Sequence, residues 1–151
     1  MAGFVLISPS FAEGGAIPIK HSCDGQDLSP ALSWDGAPKG TAMFALIVDD
    51  TDAGGFIHWV AYNIAGGPGG GLAEGVPAAG PPQQGRNGFG RTGYGGPCPP
   101  SGTHSYRFTL YALSQPLPLH GTPGAGDVRS AMATGVLLGQ TTLVGTYTRK
   151  K

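Results

Sequence analysis

Apolar residues along this chain recur with a period of two, in short runs set off by glycine, proline and aspartate. Such alternation is the mark of β-strands. In the clearest run, Thr41 to Asp49, Phe44, Leu46 and Val48 point one way and Met43, Ala45 and Ile47 the other. Both faces are apolar, so both must be covered, which predicts a sandwich or a sheet with helices over part of it. Phe56 to Ile64 predicts a neighbouring strand with Phe56, His58, Val60, Tyr62 and Ile64 on one face. Ser105 to Leu113 predicts another, and His104 and Tyr106, two residues apart, leave the same face as Phe108 and Leu110.

Shorter strands are expected at Phe4 to Ser8, at Ala31 to Trp34 and at Thr141 to Thr148. Ala16 to Lys20 reads as an edge strand because Pro18 cannot donate to a ladder. Asp127 predicts the N-cap of a helix running to about Leu138, with Val128, Met132, Val136 and Leu137 as its apolar stripe and Gly139 as its stop. Ala65 to Arg86, nearly all glycine, proline and alanine, predicts a long surface loop with no regular element. Gly90 to Tyr106 predicts a shaped loop feeding a strand, the rim and floor of a small anion site.

Composition narrows the function. At 151 residues, a single domain over 1–151 is expected. The formal net charge is zero and no basic run precedes Arg149-Lys150-Lys151, which argues against a nucleic-acid surface and reads as a solvated tail. Only 12% of residues are charged, while Gly numbers 28 and Pro 14; interleaved with apolar strands, these predict many turns rather than disorder. Met1-Ala2-Gly3-Phe4 shows no secretory pattern, and no stretch is long enough to span a bilayer, so a cytoplasmic protein with no integral membrane segment is expected. In that setting Cys23 and Cys98 are expected as free thiols. A disulfide would need their loops to meet.

Four polar side chains fall where strands meet loops: Asp50, His58, His104 and Tyr106. Each has an ordinary structural use: a turn cap for Asp50, a satisfied core imidazole for His58, a half-buried phenol for Tyr106. Together, at one end of an apolar interior, they would need partners, and imidazole, phenol and glycine-loop N–H groups are all donors suited to phosphate or carboxylate. Asp52, Gly96, Pro97, Cys98 and Pro100 form the expected rim. A metal site from Asp50, His58 and His104 is an alternative, without the short ligand spacings that would make it strong. No Gly-x-Ser-x-Gly elbow singles out a serine, and Gly88 to Gly93 matches Gly-x-Gly-x-x-Gly without the strand–helix setting that a dinucleotide needs.

These residues carry a likeness. Cys23-Asp24-Gly25, Leu28-Ser29-Pro30-Ala31-Leu32-Ser33-Trp34, Asp50-Thr51-Asp52-Ala53, His58-Trp59, Gly93-Tyr94-Gly95-Gly96-Pro97-Cys98-Pro99-Pro100 and His104-Ser105-Tyr106 stand in order along the chain. In them the chain resembles the phosphatidylethanolamine-binding protein family, in its small bacterial and archaeal, Raf kinase inhibitor-like (YbhB/YbcL) branch. The resemblance implies a mainly β fold: a β-sandwich of a large central sheet and a smaller one, with a few peripheral helices. It implies a non-enzymatic pocket for phosphate, carboxylate or phosphorylated head groups at Asp50, His58, His104 and Tyr106, with no cofactor. A kinase or protease partner and a homodimer are implied as well. The rival readings are a protein-interaction inhibitor with a vestigial pocket and a metal-assisted hydrolase. Two departures stand out. The family's D-P-D-A-P is Asp50-Thr51-Asp52-Ala53-Gly54, which predicts a looser loop, and the Arg of H-R-Y is Ser105, which removes a bidentate partner for a neighbouring acid.

Overall fold

The computed structural model describes residues 3–149. Met1, Ala2, Lys150 and Lys151, on which the readings of the two chain ends partly rest, lie outside the described residues. Arg149 is no free tail: its Nε donates to Asp24 Oδ1 at 3.0 Å.

The strands are β1 (Val5–Ile7), β2 (Leu32–Asp35), β3 (Met43–Asp50), β4 (Phe56–Ala65), β5 (Gly70–Leu72), β6 (Gln83–Gln84), β7 (Thr103–Leu113) and β8 (Leu137–Thr148). One helix, α1 (Ala125–Met132), precedes β8. Five strands form the large sheet in the order β6-β4-β3-β7-β8, and three form the small sheet, β1-β2-β5, with antiparallel pairing throughout. This is the expected mainly β, two-sheet architecture. Strand β3 is central and covered on both faces. Phe44, Leu46 and Val48 pack toward the small sheet with Leu6, Trp34 and Phe108. Ala45 and Ile47 pack toward α1 with Val60, Val128 and Met132.

Several local expectations are corrected. Strand β4 does not keep one face from Phe56 to Ile64, because its register against β3 slips twice. Each slip inserts a residue, and an insertion reverses side-chain parity beyond it. Val60 and Tyr62 therefore join the α1 side, while Trp59, Ala61 and Ile64 join the sandwich core. The second slip is housed at Asn63, whose φ of 52° is left-handed and whose side chain bonds both the N–H and the carbonyl of Leu117.

Ala16 to Lys20 is no strand: Ala16 makes a single bridge to Thr146, and Ile19–His21 is a 3-10 turn. The turn begins at Pro18, whose carbonyl accepts the His21 N–H at 3.1 Å. Helix α1 starts earlier and ends sooner than expected. Asp127 reaches back to the N–H of the N-cap residue Gly124 at 2.9 Å, and Leu137 and Leu138 open β8 after Gly135 turns the chain at φ 96°. The long connection after Ala65 contains β5 and β6. Both are built from glycine, glutamine and a single Leu, which carry no apolar alternation.

The free-thiol expectation is overturned: Cys23 and Cys98 are disulfide-bonded, with Cα atoms 5.4 Å apart. Their loops are brought together by three other ties. Cys23 N–H donates to the Pro97 carbonyl at 3.1 Å, Gly96 N–H to Asp27 Oδ1 at 2.8 Å, and the Tyr94 hydroxyl to the His21 carbonyl at 2.7 Å. Closing a loop of 75 residues is worth about 4 kcal/mol on the chain-entropy account.

Candidate binding pocket

Strand register sets the polar side of a cavity of about 180 Å³, lined by Asp50, Ala53, Phe56, His58, Phe89, Cys98, Pro99, Pro100 and His104. Asp50, the last residue of β3, pairs with Tyr106 on β7 and Phe56 on β4. Residues directly opposite share a face, so the carboxylate, the phenol and the Phe56 ring lie on one side of the sheet. His104 stands two residues before Tyr106 on the same side, and its Nδ1–H donates to Asp50 Oδ2 at 2.6 Å. The other carboxylate oxygen accepts the Asp52 N–H at 2.8 Å.

The first slip in β4 falls at His58. It sends His58 to the side of Tyr106, where their rings meet edge to face at 5.1 Å, and not to the side of Val60. Nδ1–H of His58 donates to the Gly95 carbonyl at 2.7 Å, so Nε2 is the nitrogen left for the cavity. Burial lowers the pKa of His58 below 6.5, against the opposing pull of the Gly95 carbonyl and the Asp50 charge. At neutral pH the ring is uncharged, and Nε2 offers a lone pair. His104 is pinned through Nδ1 in the same manner.

Tyr106 stands behind this wall rather than on it. It is 1% exposed, and its hydroxyl has no hydrogen-bond partner in good geometry. Burial first, and then the Asp50 charge, push the phenol well above its ordinary pKa. The Asp50 carboxylate is the acceptor within its reach, so the phenol stays neutral and supports Asp50 from behind the wall.

The apolar side comes from loops. Asn87, itself buried, organises the turn after β6. Its Oδ1 accepts the N–H groups of Phe89 and Arg91, and its Nδ2 donates to the Gly93 carbonyl. The Gly-x-Gly-x-x-Gly segment thus serves to present Phe89. Farther along, Cys98, Pro99 and Pro100 form the facing wall.

Of the expected rim, Cys98 and Pro100 line the cavity. Gly96 and Pro97 instead face the 19–28 loop; a Cβ on Gly96 would collide with the His21 carbonyl. Asp52 is a brace: its Oδ2 accepts the Ser105 N–H at 2.7 Å. The Asp50–Gly55 turn is well tied despite lacking proline, because Thr51 uses the N–H that proline would lack to reach the Ser105 carbonyl at 3.0 Å. The bidentate arginine missing at Ser105 has a counterpart two residues on, where Arg107 grips Asp49 at 2.7 and 3.1 Å. Sequence reasoning missed Ala53, Phe56, Phe89 and Pro99 as wall residues. The parity of Phe56 with His58 was the one available signal.

Asp50 and His104 are spent on each other, and His58 Nδ1 on Gly95. Among the described residues no group of three His, Cys, Asp or Glu is placed to hold a metal ion.

Comparisons with known proteins agree with this architecture. The family model described as phosphatidylethanolamine-binding protein matches residues 7–148. A UPF0098 protein of Methanothermobacter thermautotrophicus is 47% identical over 152 residues, covering 95% of this chain and 98% of that one. LppC of Mycobacterium tuberculosis, a candidate lipoprotein by its name, is 46% identical over 147 residues, 94% of this chain and 71% of its own. The crystal structure of E. coli YbcL, titled a new member of the mammalian PEBP family, superposes with a TM-score of 0.87 at 30% identity, covering 99% of this chain and 100% of that one.

Proposed function

This chain belongs to the phosphatidylethanolamine-binding protein family, and we propose that it binds a small anion in the cavity beside His58 and His104 without transforming it. Phosphate, carboxylate and phosphorylated head groups are the ligand class. One observation carries the reading. Two imidazoles line one small cavity, each pinned through Nδ1, so both keep Nε2 for a ligand. Among the described residues the cavity wall carries no hydroxyl and no free thiol, since the Cys98 sulfur is bonded to Cys23, which supports binding rather than nucleophilic catalysis.

His58 is neutral before the ligand arrives, so an anion accepted at its Nε2 brings a proton with it. Affinity for phosphate therefore falls as pH rises above the lowered pKa of His58, by up to about tenfold per unit for one coupled proton. The test is a titration of phosphate, acetate and phosphoethanolamine followed by the imidazole resonances of His58 and His104. Silence of both at millimolar ligand in a folded protein would refute the reading. The Cys23–Cys98 bond supports an oxidising compartment over the expected cytoplasm, and the name of LppC points the same way. Among the described residues no helix is long and apolar enough to cross a membrane. Action on a kinase or protease, and pairing with a second copy, belong to the same proposal through the family likeness. Pull-down with candidate enzymes and measurement of mass in solution would test them.

A further inference from the structure

Among the described residues no lysine or arginine lines the cavity, and much of its wall is carbon: Phe56, Phe89, Pro99 and Pro100. Phe56 and Phe89 meet edge to face at 4.9 Å, and each meets the His58 ring the same way, at 5.2 and 5.4 Å. Three mutually tilted rings leave an apolar face beside the very imidazole proposed to take the anion.

The chain makes room for these rings at specific glycines. A Cβ on Gly88 would stand 2.6 Å from Phe56 Cζ, and one on Gly95 would stand 2.5 Å from Phe89 Cδ2. Phe89 is 41% exposed, so neither core packing nor burial demands an aromatic there. It is nonetheless held in place, by its N–H on Asn87 and by the Arg91 guanidinium over its ring at 5.4 Å.

We infer that Phe89 is a specificity residue: it selects organic anions whose acid group bears a flat apolar substituent over bare or methyl-capped anions. This rests on the anion reading above and adds the chemistry of the ligand's other end. The cavity, at about 180 Å³, is smaller than the ~300 Å³ of drug-sized sites, so it takes one such group and no long chain. A ring seated against Phe89 and Phe56 buries apolar surface and makes aromatic pairs in the tilted geometry that such rings prefer.

Methyl phosphate and phenyl phosphate carry the same acid group and differ only in the substituent. Calorimetric titration of both is expected to show phenyl phosphate binding about tenfold tighter, in keeping with one aromatic pair plus buried area. In Phe89→Ala the ratio of the two affinities collapses toward one, and in Phe89→Leu it falls in between. Circular dichroism checks that both variants keep the wild-type fold. Equal affinities in the wild type, or an unchanged ratio in Phe89→Ala, overturn this inference while leaving the anion reading in place. If neither ester nor inorganic phosphate binds the wild type, both fall together.

Discussion

On one side of the cavity, Asp50 and His104 stand on adjacent long strands, placed by a continuous ladder from Met43↔Leu113 to Asp50↔Tyr106. On the other, Phe89 and Cys98 to Pro100 come from loops whose shape rests on side-chain ties: Asn87, Asp27, Tyr94 and the disulfide. The backbone positions of the strand side do not depend on any one side chain, because strand pairing places them. The loop side has few redundant ties. Beyond Pro97, the wall residues Cys98 to Pro100 are held by the disulfide and by a long 3.5 Å bond from Arg149 to the Pro99 carbonyl. Chemistry is therefore placed by register and shape by cross-links, which lets the wall vary while the polar pair stays put.

The largest test of that contrast is removal of the disulfide. Cys23→Ser with Cys98→Ser is expected to lower the unfolding free energy by about 2–4 kcal/mol. Phosphate affinity should fall while the His104–Asp50 pair persists, visible as an unchanged downfield Nδ1 proton. Loss of that proton signal would show that the strand side depends on the loop side after all.

Asp50→Ala strikes the other half. It removes the acceptor for His104 and for the Asp52 N–H, with Asp50 only 4% exposed, and should cost about 1.5–3 kcal/mol in denaturant unfolding. The disulfide-bridged wall should stay formed, so an altered environment at Cys98 would contradict the division.

Acid sharpens the comparison by acting on both sides. Burial lowers the pKa of His58 at the strand bulge and of His21 beneath the loop rim, each from 6.5. As pH falls, the unfolded chain is protonated first. Stability is thus full above about pH 6.5 and is lost as pH drops through the lowered folded values. His21→Gln and His58→Gln should each flatten that decline in urea midpoints measured from about pH 7.5 to 5. A wild type that gains stability over this interval would reverse the sign. The smallest effect is expected from Thr51→Pro, which restores the family's proline but deletes the N–H bonded to Ser105. A cost of about 0.5–1 kcal/mol in the same assay is anticipated, and a stabilised variant would show that proline's effect on the unfolded chain wins.

Local pattern by itself determined that Phe44, Leu46 and Val48 oppose Ala45 and Ile47, that β3 is central and doubly covered, and that His104 and Tyr106 leave one face. Each follows from period-two geometry over consecutive residues, which neighbours in sequence suffice to encode. Tertiary structure alone decided the rest. The slips in β4 depend on how β3 pairs with it, and they overturned the simple face drawn through His58 and Val60. The union of Cys23 with Cys98 spans 75 residues, and three hydrogen bonds between the same two loops accompany it. Strands β5 and β6 are recruited by the edges of β2 and β4, since glycine and glutamine carry no strand pattern of their own. Phe89 reached the wall through a turn built by Asn87, a contact with no periodic signature. Periodicity tells which way a side chain faces, while only the packed chain tells what it faces.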